Sequence, residues 1–206
     1  MRFRIVRLYK LLRSKYGHPR GQWRLWCKRP KTTAEKEQVI IEAILTQRTN
    51  WRNVELAIAA MKKQRILSLQ GLLRSYRKRP HALHPLIRPT GFYQNKARYI
   101  LSLAAYVIQH GGIRSLKQKD VHGLREEMLE LPGVGPETAD SIVLYALHKP
   151  SFVIDEYTRR LVARERISKN LSYDSLKKLF ENSMRKDYRL YQDFHALIVI
   201  DGKKRT

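Results

Sequence analysis

Apolar residues return every three to four positions along most of the chain. Val54, Ile58 and Met61 do so, as do Ile100, Ala104 and Val107, and then Ala139, Ile142, Val143 and Ala146. Leu176, Leu179 and Phe180 repeat the spacing, as do Leu190, Phe194, Leu197 and Ile198. A period near 3.6 residues collects such positions on one helix face, so the pattern predicts helices throughout. The stop and start signals agree. Gly111-Gly112 closes one helix, Asp120 is placed to cap the next, and Pro136 suits a first turn, where its missing N–H is unneeded. Only residues 151–154, Ser-Phe-Val-Ile, read as extended, and they are too few to make a sheet. The expected fold class is all-α.

Composition adds a partner. The 206 residues, 43% of them hydrophobic, suffice for one sizeable core or two small lobes. No run approaches the ~20 apolar residues of a membrane span. The opening Met-Arg-Phe-Arg-Ile-Val-Arg interleaves charge with apolar residues, unlike a secretory leader. The expectation is a soluble intracellular protein without membrane association. Against 18 Asp+Glu stand 42 Lys+Arg, a net charge of +24 that attracts polyanions, nucleic acid first and acidic membrane or protein surfaces behind it. Single clusters such as Lys28-Arg29, Arg77-Lys78-Arg79 and Lys203-Lys204-Arg205 read as solvated faces. The global excess is what carries the inference. A lone cysteine, Cys27, excludes a disulfide framework or a four-cysteine metal or iron–sulfur site within this chain. His110 and His195 have no metal-ligand spacing with Cys27 or each other and read as structural or surface residues. Neither a metal nor a cofactor is expected.

The most informative segment is Leu129-Glu-Leu-Pro-Gly-Val-Gly-Pro-Glu-Thr-Ala-Asp140. A helix ends near Glu130, a tight turn follows, and another helix starts at Pro136. Gly133 and Gly135 permit positive φ and let backbone N–H groups come close to a ligand. The second helix aims its N-terminus at the same place, so amide donors and dipole both favour an anion. Such a site grips a phosphodiester without reading sequence. Without its helical flanks and the +24 charge, the Gly-Val-Gly would be as well read as a plain connection.

Leu131-Pro-Gly-Val-Gly135 with Thr138-Ala139 resembles the helix-hairpin-helix of the endonuclease III superfamily of DNA glycosylases. Downstream, Phe152-Val-Ile-Asp155 with Glu156-Tyr-Thr-Arg-Arg160 is similar to the family's apolar-apolar-Asp stretch that opens a helix. Upstream, Ala43-Ile-Leu-Thr-Gln-Arg-Thr-Asn50 resembles the segment whose glutamine enters DNA near the displaced base. The resemblance spans roughly residues 20–202. It implies DNA contacts from Gln47, Leu131, Gly133, Val134, Gly135 and Thr138. Two departures narrow it. Glu137 stands where bifunctional members carry the lysine that attacks the sugar, and a carboxylate cannot form a Schiff base. The cysteines of the usual iron–sulfur cluster are absent up to the last residue, Thr206. With Gln22-Trp23, Trp26 and Trp51, this pattern looks like the 3-methyladenine DNA glycosylase III branch.

Breaking an N-glycosidic bond builds oxocarbenium character on the sugar, which a carboxylate can stabilise while orienting a water. Asp155 suits that role, and at a helix N-terminus it should stay ionised. By position alone it could equally be an ordinary N-cap. A flipped base needs aromatic partners. Trp23, Trp26 and Trp51 are candidate walls of a base pocket, with Tyr93 weaker and Glu137 available to a cationic base. Each tryptophan alone is as readily a core residue. Gln47 could fill the vacated space in the duplex, or be a surface amide. Arg88-Pro-Thr-Gly91 with Phe92, Tyr93 and Lys96 suggests a loop touching the DNA backbone.

The combined expectation is two helical lobes with a DNA cleft between them. Residues 36–150 form a bundle containing the hairpin (about 121–148), and residues 1–35 with 151–206 form the other lobe. The protein should act as a monomer on double-stranded DNA with damaged bases, in the cytoplasm at the nucleoid. It should be a monofunctional glycosylase of alkylated purines. The alternatives are a bifunctional glycosylase/lyase on oxidised pyrimidines using another lysine, and a non-catalytic helix-hairpin-helix DNA-binding module.

Overall fold

The computed structural model describes residues 2–205, and among them no strand forms. In chain order the helices are α1 (Arg2–Tyr16), α2 (Trp23–Trp26), α3 (Thr33–Leu45), α4 (Trp51–Lys63), α5 (Leu69–Lys78), α6 (His84–Ile87) and α7 (Tyr93–Gln109). Then follow α8 (Gly112–Leu116), α9 (Val121–Leu129), α10 (Pro136–Ser141), α11 (Glu156–Arg164), α12 (Tyr173–Ser183) and α13 (Tyr188–Lys203). A 3-10 turn lies at Arg88–Thr90, and a π-helical segment, Ile142–Ala146, directly follows α10. No helix among the described residues is long and apolar enough to cross a membrane. Two compact units result, a central one of Pro30–Ile142 and a terminal one of Met1–Arg29 with Val143–Thr206.

The central unit is built around α3. Val39, Ile40, Ile41, Ile44 and Leu45 are all fully buried, and a helix apolar on nearly every side must be surrounded. Helices α4, α7, α8 and α10 pack against it. Its start is a capping box, in which the Thr32 hydroxyl accepts from the Glu35 N–H and the Glu35 carboxylate accepts from the Thr32 N–H. Asn50, Ser68 and Asp120 cap α4, α5 and α9 in the same sense. Gly111, at φ +80°, ends α7 in the left-handed region where a side chain would be strained.

In the terminal unit the surrounded helix is α13, buried continuously from Tyr191 to Val199. Phe152, Phe180, Tyr191 and Phe194 pack ring against ring at centroid separations of 4.5 to 5.7 Å. Residues 151–154 are buried and form neither helix nor strand. Side chains of α12 take the place of a neighbouring strand. Glu181 accepts from the Phe152 N–H at 2.8 Å, and Lys177 donates to the Phe152 carbonyl at 3.3 Å.

Asp201 ties three helices of this unit together. Its side chain is almost wholly buried; Oδ1 accepts from Lys15 Nζ (3.2 Å) and the Tyr16 hydroxyl (2.8 Å). Oδ2 accepts from Arg164 Nη2 (3.2 Å) and Arg205 Nε (2.8 Å). Burial alone would raise its pKa, but the donors Arg205, Tyr16 and Lys15 outweigh burial and hold it at about 2. Because the folded value lies below the unfolded one, the stabilisation is complete above pH ~4 and is lost as pH falls toward 2. Asp201→Asn should therefore cost about 2–3 kcal/mol near neutrality. Urea midpoints measured from pH 7 to 2 should show the gap between variant and wild type closing below pH 4; a constant gap would contradict this assignment.

Candidate active site

The turn between α9 and α10 is shaped by side chains from the rest of the central unit. Arg125 on α9 places Nε 3.2 Å from both oxygens of Asp140 on α10, and Asp140 is fully buried, so the two helices are clamped. Within the turn the Val134 N–H donates to the Leu131 carbonyl at 3.1 Å. Val134 points into the core, and Leu131 is half-buried. Gly133 has φ +76°, and a Cβ there would enter the ring of Tyr99. Gly135 differs. Its φ is −88°, and a Cβ would meet nothing within 4 Å. Neither backbone strain nor packing requires a glycine at 135, and the space over it is open.

Gln47, in the connection after α3, donates through Nε2 to the Gly133 carbonyl (2.8 Å) and to Thr138 Oγ1 (3.0 Å). Both amide protons are thus held by the hairpin, and the carbonyl end of Gln47 keeps its acceptor capacity. Together Gln47, Gly133, Gly135, Glu137 and Thr138 line a cavity of about 470 Å3, completed by Arg48, Phe92, Asn95, Lys96 and Tyr99. Arg48 and Phe92 have φ +49° and +46°, unusual for side chains larger than glycine and costing ~1 kcal/mol each. Phe92 is also 62% exposed, an apolar ring offered to the outside at the cavity's edge. Tyr93 turns away, its ring meeting that of His84 at 5.6 Å. Lys96 is buried rather than presented to a polyanion. Its Nζ donates to the carbonyls of Leu45 (2.9 Å) and Thr90 (2.7 Å), and burial lowers its pKa to about 8. Trp51 opens α4 half-buried and donates through Nε1 to Glu55 at 2.9 Å.

In the terminal unit, Asp155 is the N-cap of α11. Its Oδ1 accepts from both the N–H (2.7 Å) and the hydroxyl (2.8 Å) of Thr158. Only 8% of the residue is exposed. Burial pushes the carboxyl's pKa up, but the nearby His195 imidazole and the Thr158 donors outweigh that, leaving it below the ordinary value. His195 Nε2 lies 3.4 Å from Asp155 Oδ2. The spacing of histidines and cysteine along the chain carried no hint of this contact; α13 packing on α11 creates it. Trp23 and Trp26 meet edge to face at 5.9 Å and surround Tyr145 and His195. At 6% and 7% exposure both are buried, packed against Tyr145 as part of this unit's core.

Residues 41–186 match the model of the HhH-GPD superfamily base excision DNA repair proteins. The chain belongs to that family. This DNA repair glycosylase is 40% identical over 204 residues to a Methanocaldococcus jannaschii protein that carries the name of a DNA repair glycosylase, covering 97% of this chain and 87% of that one. It is 29% identical over 128 residues to endonuclease III of Thermotoga maritima, covering 62% of this chain and 55% of the relative. Among solved structures, it is similar to the H.pylori 3-methyladenine DNA glycosylase bound to 1,N6-ethenoadenine, with TM-score 0.79, 25% identity and coverage of 100% and 98%. A trapped endonuclease III–DNA covalent intermediate shares the fold at TM-score 0.73 and 19% identity, with coverage of 99% and 87%.

The two hairpin glycines of the glycosylase should respond differently to a methyl group. Gly133→Ala combines left-handed backbone with overlap on Tyr99 and should destabilise by ~2–4 kcal/mol. Gly135→Ala should change stability by less than ~0.5 kcal/mol. Thermal melts of both variants test this, and equal losses would refute the distinction.

Proposed function

We propose that this protein is a monofunctional glycosylase of alkylated purines such as 3-methyladenine in duplex DNA. It would hydrolyse the N-glycosidic bond and leave an abasic site. The observation that carries the reading is Asp155, a buried carboxylate kept ionised by neighbours. As the bond breaks, its electron pair leaves with the base, and positive charge spreads over C1′ and the ring oxygen of the sugar. A fixed negative charge in a low-dielectric site stabilises that transition state more than the neutral ground state. Water then attacks C1′ and gives up a proton, for which the carboxylate is a sufficient base because the sugar is already cationic.

The other assignments follow the same chemistry. Leu131, Gly133, Val134, Gly135 and Thr138 form the turn that receives a phosphodiester, with the open space over Gly135 letting the backbone approach. Gln47, already held by the hairpin, contacts the DNA near the vacated base position. Trp23, Trp26, Trp51 and Glu137 are proposed to bound the base. A methylated purine is cationic, which favours aromatic edges less than faces but suits a carboxylate such as Glu137. It is also a good leaving group, so little acid assistance is required. The likeness over the full chain to an enzyme solved with an etheno-adenine supports the alkylated-purine choice. Glu137 at the hairpin position supports hydrolysis over lyase chemistry, because a carboxylate forms no Schiff base.

Release of 3-methyladenine from methylated duplex DNA should vanish in Asp155→Asn, while affinity for the same duplex stays within a few-fold. Undiminished release would remove Asp155 from the chemistry. Borohydride with abasic DNA should give no efficient covalent adduct; a strong adduct would establish an amine nucleophile and the bifunctional reading. Gly135→Ala should weaken duplex binding about tenfold at unchanged stability, as expected if one charge-assisted backbone contact to phosphate is lost.

A further inference from the structure

His195 is only 4% exposed, and among the described residues its Nε2 meets no partner in close hydrogen-bond geometry. It faces Asp155 Oδ2 at 3.4 Å, the one carboxylate oxygen that Thr158 does not occupy. On the other side of the ring, Nδ1 lies 2.8 Å from the Tyr145 hydroxyl. That hydroxyl donates to the Gln192 carbonyl at 3.2 Å, which leaves its oxygen to accept from the Nδ1–H and orients the ring. Burial, with Cys27, Asp155 and Asp193 nearby, raises the Tyr145 pKa well above its ordinary value, so it remains a donor. Asp155 Oδ2 can only accept, so the 3.4 Å contact calls for a proton on Nε2, pointing at the carboxylate. An unprotonated Nε2 would set a lone pair against the carboxylate. Trp23 closes the arrangement, its ring edge-on to the imidazole at 5.7 Å and 89°.

We propose that His195 is a positioning residue whose Nε2–H, directed by Tyr145, holds Oδ2 of Asp155 in its working orientation and keeps the carboxylate ionised. This rests on the reading of Asp155 as the group that stabilises the sugar cation. Oδ1 is fixed by the helix cap, which serves the fold. Oδ2 is the oxygen left for chemistry, and the long His195 contact can shorten as charge develops beside it. The chain Tyr145–His195–Asp155 joins the π-helical segment, α13 and the start of α11, so the carboxylate is aimed by three elements at once. Two further ionisable groups interact with Asp155: Lys203 on α13, whose pKa burial lowers and Asp155 partly restores, and Tyr145, whose pKa burial and then nearby groups including Asp155 raise.

Single-turnover release of 3-methyladenine from methylated duplex DNA, measured from pH 3 to 8, tests the proposal. His195→Leu should slow release about ten- to a hundredfold, as for a lost hydrogen bond to a charged group. Affinity for a duplex with a tetrahydrofuran abasic analogue should be unchanged. Loss of the donor raises the Asp155 pKa, so the acid limb of the rate profile should move up by roughly one pH unit. His195→Gln, whose amide N–H can occupy the Nε2 position, should restore most of the rate. Tyr145→Phe should show a smaller loss in the same direction and provides the readout if His195→Leu does not fold. Wild-type rate and acid limb in both His195→Leu and Tyr145→Phe would overturn the proposal. So would a slower rate with an unmoved limb and no rescue by glutamine. If Asp155→Asn itself retains release, the reading of Asp155 fails; if Asp155→Asn is inactive and His195→Leu is normal, only the positioning role fails.

Discussion

A carboxylate that stays charged inside an apolar unit is the constraint on which the rest of the terminal unit depends. Burial favours the protonated acid, so the charge persists only where donors surround it. The fold answers with donors that cost little extra structure. The backbone N–H of Thr158 would need a cap in any case, and Asp155 supplies it while being charged by the same contact. The Thr158 hydroxyl adds a second donor to the same oxygen. The remaining oxygen faces an imidazole held by a buried tyrosine. Helix capping and ionisation are therefore one interaction viewed from two sides.

The central unit meets a different requirement, holding a short glycine-containing turn in one shape. Helix ends splay unless fixed, and a turn of five residues has little internal stiffness. The Arg125–Asp140 pair clamps α9 to α10, Tyr99 fills the space left by the missing side chain of Gly133, and Gln47 bonds the turn from outside. What remains unfilled is the space over Gly135. Positive charge adds to this without replacing it. A net +24 promotes encounter with DNA and a steep salt dependence, whereas the hairpin supplies direction.

Much of this was legible from the chain because it is local. Helical periods, the cap at Asp120, the Gly-Val-Gly turn and the first-turn Pro136 all rest on neighbours within four or five residues. The aromatic assignments were harder, since a tryptophan among polar neighbours can still be buried by distant helices. Trp23 and Trp26 are, with Tyr145 and His195 packed against them. Lys96 reads as one more cation for DNA, yet its ammonium turns inward to two carbonyls. His195 gave no signal at all: its meaning depends on Tyr145, 50 positions earlier, and on the cap of another helix.

By itself, then, the order of residues determined the helices, the hairpin with its two glycines, and a cap aspartate after an apolar run, because backbone geometry and capping act over a single turn. Tertiary structure alone decided which glycine is required by packing and which leaves room. It also decided which oxygen of Asp155 faces His195 and which hairpin groups hold Gln47, 86 positions from the carbonyl it reaches. Those outcomes depend on distance and burial between segments far apart in the chain, and neither quantity exists until the helices have packed.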